Sequence, residues 1–158
     1  MGGIGKASNY SLPAIYLSHL SQQVAKRARS FGMNIHYHNR HPLPPSEEEG
    51  ALSVSFDDLI SQSDVISLNL ALTYDTEHII GANEFEKMKK GVVIVNTARG
   101  DLIDEEELFK ALESGKVYSV GLDVFENEPH VDPRFLGNEK IAISPHIGAA
   151  TVETMVSQ

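Results

Sequence analysis

Gly91–Glu107 reads GVVIVNTARGDLIDEEE, and this stretch decides the fold. Val92 to Val95 is a run dominated by β-branched residues, which predicts a fully buried strand. The strand delivers Asn96, Thr97, Ala98 and Arg99 to its carboxyl end. Gly100 lets the backbone turn, and Asp104 opens a helix. An open parallel sheet binds its ligands outside the carboxyl ends of its strands. An Arg at that end is placed to grip an anion in bidentate fashion. By itself, such an Arg is as often a solvated residue. The weight comes from Glu128 and His146 further along the chain.

Downstream, Asp104 caps a helix that runs to Ser114, with Glu107 at its third position. Leu108, Ala111 and Leu112 form its apolar stripe, and Gly115 stops it. VYSVGLDVF (117–125) predicts a strand that brings Asp123 to its carboxyl end. ENEPHVDPRFLGN (126–138) is an exposed loop containing Glu128. KIAIS (140–144) predicts a last strand, ending in Ser144-Pro145-His146-Ile147-Gly148. Arg99, Glu128 and His146 are therefore all delivered by strand ends. A His beside a carboxylate serves as a general acid/base, because the neighbouring charge favours the imidazolium. Each of these residues alone is more often structural; the ordered set is far more specific.

Upstream, Asn83 is expected to cap a helix with Glu86 at its third position and Phe85 and Met88 inward. DVISLNL (64–70) predicts a strand, and ALTYDTEH (71–78) a polar loop on the ligand side. Ser55 caps a short helix with Asp58 at its third position and Phe56, Leu59 and Ile60 inward. MNIHYHN (33–39) alternates as a strand, with Ile35 and Tyr37 on one face. HPLPPSEEEG (41–50) is a proline-rich surface loop. This alternation predicts an α/β fold, a doubly wound, Rossmann-like parallel sheet with right-handed crossovers and five strands across residues 24–148.

At the end of the second strand of such a fold, an acidic residue would hold the ribose 2′-OH of NAD. Here stand His38, Asn39 and Arg40, which suit a 2′-phosphate, so NADPH is expected to bind in preference to NADH. His36, His38 and His41 resemble a ligand set, but no carboxylate or cysteine completes it and no metal is expected.

The chain opens MGGIGK. Gly2 and Gly5 have the spacing of the last two glycines of G-x-G-x-x-G, a weak signal alone. The first glycine would lie before Met1, and no strand precedes it. VAKRARSFG (24–32) reads as the helix such a loop should feed, with Val24, Ala28 and Phe31 inward and Gly32 as its stop. Residues 7–23, ASNYSLPAIYLSHLSQQ, intervene, poor in charge and carrying Pro13. They read as an insertion, translated intron being one origin, or as a surface loop or extra helix start. They are expected to be poorly ordered or to pack outside the sheet, which would then lack its first strand.

A length of 158 residues suffices for one domain with a real core. The net charge of -9 disfavours nucleic-acid and anionic-membrane partners. Cysteine is absent, which fits a reducing compartment. No apolar run approaches the ~20 residues that span a bilayer, and Met1–Lys6 is no signal segment. A cytoplasmic location is expected.

VVIVNTARGDLIDEEEL, VGLDVFENEP and SPHIG strongly resemble the D-isomer-specific 2-hydroxyacid dehydrogenases. GGIGK, VAKRARSFGM and the NR of HYHNR resemble the glyoxylate/hydroxypyruvate reductase branch, its fungal members above all. The resemblance covers nearly the whole chain except residues 7–23. It implies an NAD(P)-dependent oxidoreductase acting on a small 2-keto or 2-hydroxy acid such as glyoxylate or hydroxypyruvate, in a family whose members are typically homodimers. It implies that Arg99 binds the substrate carboxylate, that Glu128 orients and charges the His, and that His146 donates the proton. Gly2, Gly3 and Ile4 match the pyrophosphate loop, and Asn39 and Arg40 the adenosine-ribose side. Thr97, Asp123 and Gly148 match positions around the nicotinamide half. The family has a separate substrate domain built from residues on both sides of the cofactor domain. Residues 1–158 are thus expected to be a truncated cofactor domain whose activity is impaired. Ala71 also departs from the family, which often has Pro or Ser there. The competing readings are a non-catalytic nucleotide-binding or interaction module and a non-functional fragment. Short-chain dehydrogenases are set aside because no Tyr-x-x-x-Lys occurs.

Overall fold

The computed structural model describes residues 11–15, 19–148 and 150. Its elements alternate along the chain: β1 (Ser11–Ile15), α1 (His19–Arg29), β2 (Asn34–His38), α2 (Pro45–Glu48), β3 (Leu52–Ser53), α3 (Phe56–Gln62), β4 (Val65–Leu68), α4 (Ala82–Lys87), β5 (Val92–Asn96), α5 (Glu105–Glu113), β6 (Val117–Leu122) and β7 (Ile141–Ile143). The strands form one seven-stranded sheet in the order β3-β2-β1-β4-β5-β6-β7, and every pair is parallel. The order reverses between β1 and β4. That reversal opens the crevice at which doubly wound sheets bind ligands.

Local chemistry explains the elements. The Ser55 hydroxyl accepts from the Asp58 N–H at 3.0 Å and starts α3. The Asp104 carboxylate accepts from the Glu107 N–H at 3.0 Å and starts α5. Gly115, at φ +70°, ends α5 in the left-handed region that favours glycine. β5 buries Val92, Ile94 and Asn96, and Ile94 pairs with Ile66 on β4 and Val120 on β6.

Four expectations are corrected. Ser11–Ile15 is a strand between β2 and β4, so that stretch of residues 7–23 lies in the sheet and fills the first-strand position. Parallel neighbours on both sides satisfy its backbone, which overrides the low charge and Pro13 that argued for a loop. Residues 7–10 and 16–18 lie outside the described residues. Residues 24–148 hold six strands rather than five, because the two-residue edge strand β3 carries too short a pattern to read. Helix α1 begins at His19, and among its described side chains Ser21, Ala25 and Ala28 are buried; Val24 is exposed, and Phe31 falls beyond the helix end and is exposed. Helix α4 begins after Gly81, whose N–H donates to Glu84 Oε2 at 3.2 Å, so Asn83 sits inside the helix rather than capping it.

Among the described residues two apolar clusters result. The larger joins α3, α4 and α5 to β4–β6 through residues such as Leu59, Ile66, Ile94, Leu108 and Phe135. The smaller, around β2, consists of Ala25, Ala28, Ile35, Tyr37 and Ala51.

Candidate active site

The site is built at the carboxyl ends of β4 to β7. Beyond β5 the chain does not wander, because Asn96 brackets it. The buried Asn96 amide donates to the Arg99 carbonyl at 2.8 Å and accepts from the Ala98 N–H at 3.0 Å. Such side-chain-to-backbone bonds fix a turn at a strand end. They leave Thr97 and Arg99 exposed. The Arg99 guanidinium donates to the Ala98 carbonyl at 2.5 Å.

Beyond β6, Asp123 is buried and anchors the loop that carries His146. Its carboxylate accepts from the Ile147 N–H at 3.0 Å, the Gly148 N–H at 2.8 Å and the Ser144 hydroxyl. Burial alone would raise its pKa; the bonds from Ser144, Gly148 and Ile147 outweigh that and hold it below the usual carboxylate value. A Cβ at Gly148 would lie 2.9 Å from Asp123 Oδ2, so only glycine fits that approach without a shift. Past this anchor His146 adopts φ +53°. Its Nδ1 meets Glu128 Oε2 at 2.7 Å. Glu128 Oε1 accepts from the Phe125 N–H at 3.0 Å, which holds the carboxylate from behind. The bond from His146, then that from Phe125, keep the Glu128 pKa below its ordinary value despite some burial. Glu128 is therefore an anion held against Nδ1 of the imidazole.

The sequence-predicted pair Glu128 and His146 is thus brought into contact. Arg99 stands on the neighbouring strand end. Thr97 lines two hollows there. One, about 320 Å³, lies between Asn69–Leu72 and Thr97–Arg99. The other, about 240 Å³, is bordered by Gly121, Asp123, Ala142 and Ser144. A larger hollow of about 430 Å³, between Phe109, Arg134 and Lys140, adjoins the far end of α5 and holds none of these groups. At the other end of the crevice, Asn39 and Arg40 follow directly on β2, and Arg40 is exposed. Among the described residues no cluster of His, Cys, Asp and Glu could hold a metal ion.

The D-isomer specific 2-hydroxyacid dehydrogenase NAD-binding domain matches residues 10–148. The chain belongs to this family. The 4-methyl-2-oxopentanoate reductase A of Aspergillus oryzae is 58% identical over 135 residues, covering 85% of this chain and 41% of that protein. Glyoxylate reductase 1 of Saccharomyces cerevisiae is 46% identical over 139 residues, covering 87% of this chain and 40% of that protein. The crystal structure of a glyoxylate reductase from Paecilomyes thermophila superposes with a TM-score of 0.92 at 58% identity, over 96% of this chain and 46% of that one. The chain thus spans less than half the length of these 2-hydroxyacid dehydrogenases.

A nicotinamide dinucleotide fits this 2-hydroxyacid dehydrogenase domain at its ends. Thr97 and Asp123 line hollows at the carboxyl ends of the strands, Gly148 donates its N–H to Asp123, and Asn39 and Arg40 directly follow β2. The middle differs from expectation. Glycine fingerprints join the first strand to the first helix. Gly2, Gly3 and Ile4 precede β1 in the chain and lie outside the described residues; the residues joining β1 to α1 are Tyr16, Leu17 and Ser18. Sequence reasoning missed the bracketing role of Asn96, for which an Asn directly after a buried strand was the signal.

Proposed function

We propose that the domain takes part in the reversible reduction of a small 2-keto acid, such as glyoxylate or hydroxypyruvate, with NADPH favoured over NADH. The observation that carries this reading is the 2.7 Å contact between His146 Nδ1 and Glu128 Oε2, on a strand end adjoining that of Arg99. A bound nicotinamide would supply the hydride. Arg99 would bind the acid end of the substrate through paired N–H groups and fix which face of the ketone is presented. With Nδ1 engaged by Glu128, Nε2 is the nitrogen left to face the ketone oxygen and donate its proton as negative charge develops there. Arg40 would pair with the 2′-phosphate of NADPH.

His146 and Glu128 are 49% and 35% exposed, so on these residues alone the site is an open wall. Orientation in a closed site can supply ~7–11 kcal/mol of a barrier. Losing even half slows turnover by about three to four orders of magnitude. The 158-residue polypeptide by itself is therefore expected to turn over very slowly. NADPH oxidation with glyoxylate or hydroxypyruvate, with His146→Ala as control, tests the reading. Slow turnover abolished by the substitution supports it. Near-normal turnover refutes the open-wall account, and cofactor binding with no turnover at all favours a binding module.

A further inference from the structure

We propose that Glu105 and Glu126 are positioning residues, a reciprocal clamp that sets the spacing between Arg99 and the Glu128–His146 pair; this rests on the proposed function for its catalytic meaning. The clamp joins loops from neighbouring strand ends. The Glu126 N–H donates to Glu105 Oε1 at 3.0 Å, and the Glu105 N–H donates to Glu126 Oε1 at 3.1 Å. Each glutamate therefore holds the backbone of the other. His78 Nε2 lies 3.1 Å from Glu126 Oε1, which adds the loop after β4. That loop is fixed in turn: the His78 N–H donates to the Asp101 carbonyl at 2.7 Å, and the Ile80 N–H to the Leu102 carbonyl at 3.1 Å.

Two features give the clamp its leverage. Glu126 is two residues from Glu128, and Phe125 between strand and clamp donates its N–H to the Glu128 carboxylate. Gly100, directly after Arg99, packs on the same peptide: a Cβ there would sit 2.0 Å from the Phe125 carbonyl carbon and 2.4 Å from the Glu126 nitrogen. The Arg99 and Glu128 loops thus touch backbone to backbone, and the glutamates close the contact from beside it. Glu105 is buried, and burial holds its pKa above the ordinary carboxylate value. The bond from the Glu126 N–H opposes that rise, as does Arg134, while the charges of Glu126 and Asp132 add to it. Retaining a carboxylate in such a place costs stability, and a positional duty explains its use.

The test is nitrogen-detected NMR of the His146 ring in the 158-residue protein, which needs no turnover. In the unaltered chain the ring should show a proton on Nδ1 shared with Glu128. Glu126→Ala should lose that signature while other strand amides keep their shifts. Glu126→Gln keeps the acceptor oxygen and should restore it. Glu105→Ala with Glu126→Ala should perturb His146 no more than either alone, because each bond belongs to one ring of contacts. If Glu126→Ala does not fold, Glu126→Asp, one methylene shorter, should shift the same signal in the same direction. Where turnover is measured, kcat should fall by up to ~100-fold with KM for NADPH unchanged. An unchanged His146 ring in Glu126→Ala, or in Glu126→Asp, overturns the clamp. Absent turnover with the ring response intact counts against the proposed reaction and leaves the clamp standing.

Discussion

Among the residues whose side chains are described, the sheet is packed unevenly. From β4 to β6 the strands rest on a continuous cluster of large side chains, including Leu59, Ile66, Leu68, Ile94, Leu102, Leu108, Phe125 and Phe135. Around β2, the cluster formed by the described residues is small, and three of its five members are alanines. Arg99 and Glu128 follow strands of the heavily packed part, His146 follows the thinly packed edge strand β7 on a loop anchored by Asp123, and Asn39 and Arg40 follow β2 on the lighter side. The difference teaches where precision is invested. Proton transfer needs heavy atoms held within hydrogen-bond reach, whereas a phosphate contact from a long exposed side chain tolerates more play.

Core truncation tests the contrast most strongly. Ile94→Ala should cost stability in the upper part of the ~2–5 kcal/mol range for such changes. Ile35→Ala should fall in the lower part, since the described members of its cluster are mostly alanines. Denaturant titration of both variants checks this, and equal costs would break the contrast.

Gly100→Ala should come next. A new methyl against the Phe125–Glu126 peptide must push one loop away, at a cost of ~1–3 kcal/mol. The NMR signature of the His146–Glu128 contact should go with it. A crystal structure of the variant with that contact intact would show that the loops are not coupled.

On the lighter half, Arg40→Ala should weaken NADPH binding and leave NADH binding alone. The loss should sit at the lower end of ~1.5–3 kcal/mol, since Arg40 is exposed. Calorimetric titration of both cofactors decides it, and equal losses would remove the 2′-phosphate assignment.

The smallest effect concerns pH. The Glu128 pKa is lowered in the folded chain, so its contribution to stability is present above its ordinary value of 4.5 and is lost as pH falls through the folded value. Glu128→Gln should flatten that part of the stability profile. The effect is modest because the side chain is partly exposed. An unchanged acid limb would mean that the contact with His146 is not formed in solution.

Much of this was legible in the sequence because it was local. The Val92–Val95 run, the caps at Ser55 and Asp104 and the glycine stop after α5 each act within a few residues, and each is present in the structure. His146 and Glu128 could be named because a strand end and a loop deliver them in order. Strand β1 was not legible. What makes Ser11–Ile15 a strand is the pairing offered by β2 and β4, which residues 11–15 do not reveal by themselves. The contact of Glu105 with Glu126 was hidden for the same reason. A charged residue in a DEEE or VFENE run reads as solvated surface until the fold brings two backbones together. The expected stripe of α1 shows the reverse error: Val24 lies in the helix but on its exposed face, and Phe31 lies beyond the helix end at Arg29.

The central claim is that His146 and Glu128 form a preassembled acid pair. The most direct measurement is the tautomer of neutral His146, read from its ring nitrogen shifts in the unaltered chain and in Glu128→Ala. The account predicts a proton on Nδ1 in the unaltered chain and a shift toward the Nε2 tautomer when the carboxylate is removed. The same tautomer balance in both proteins would contradict it.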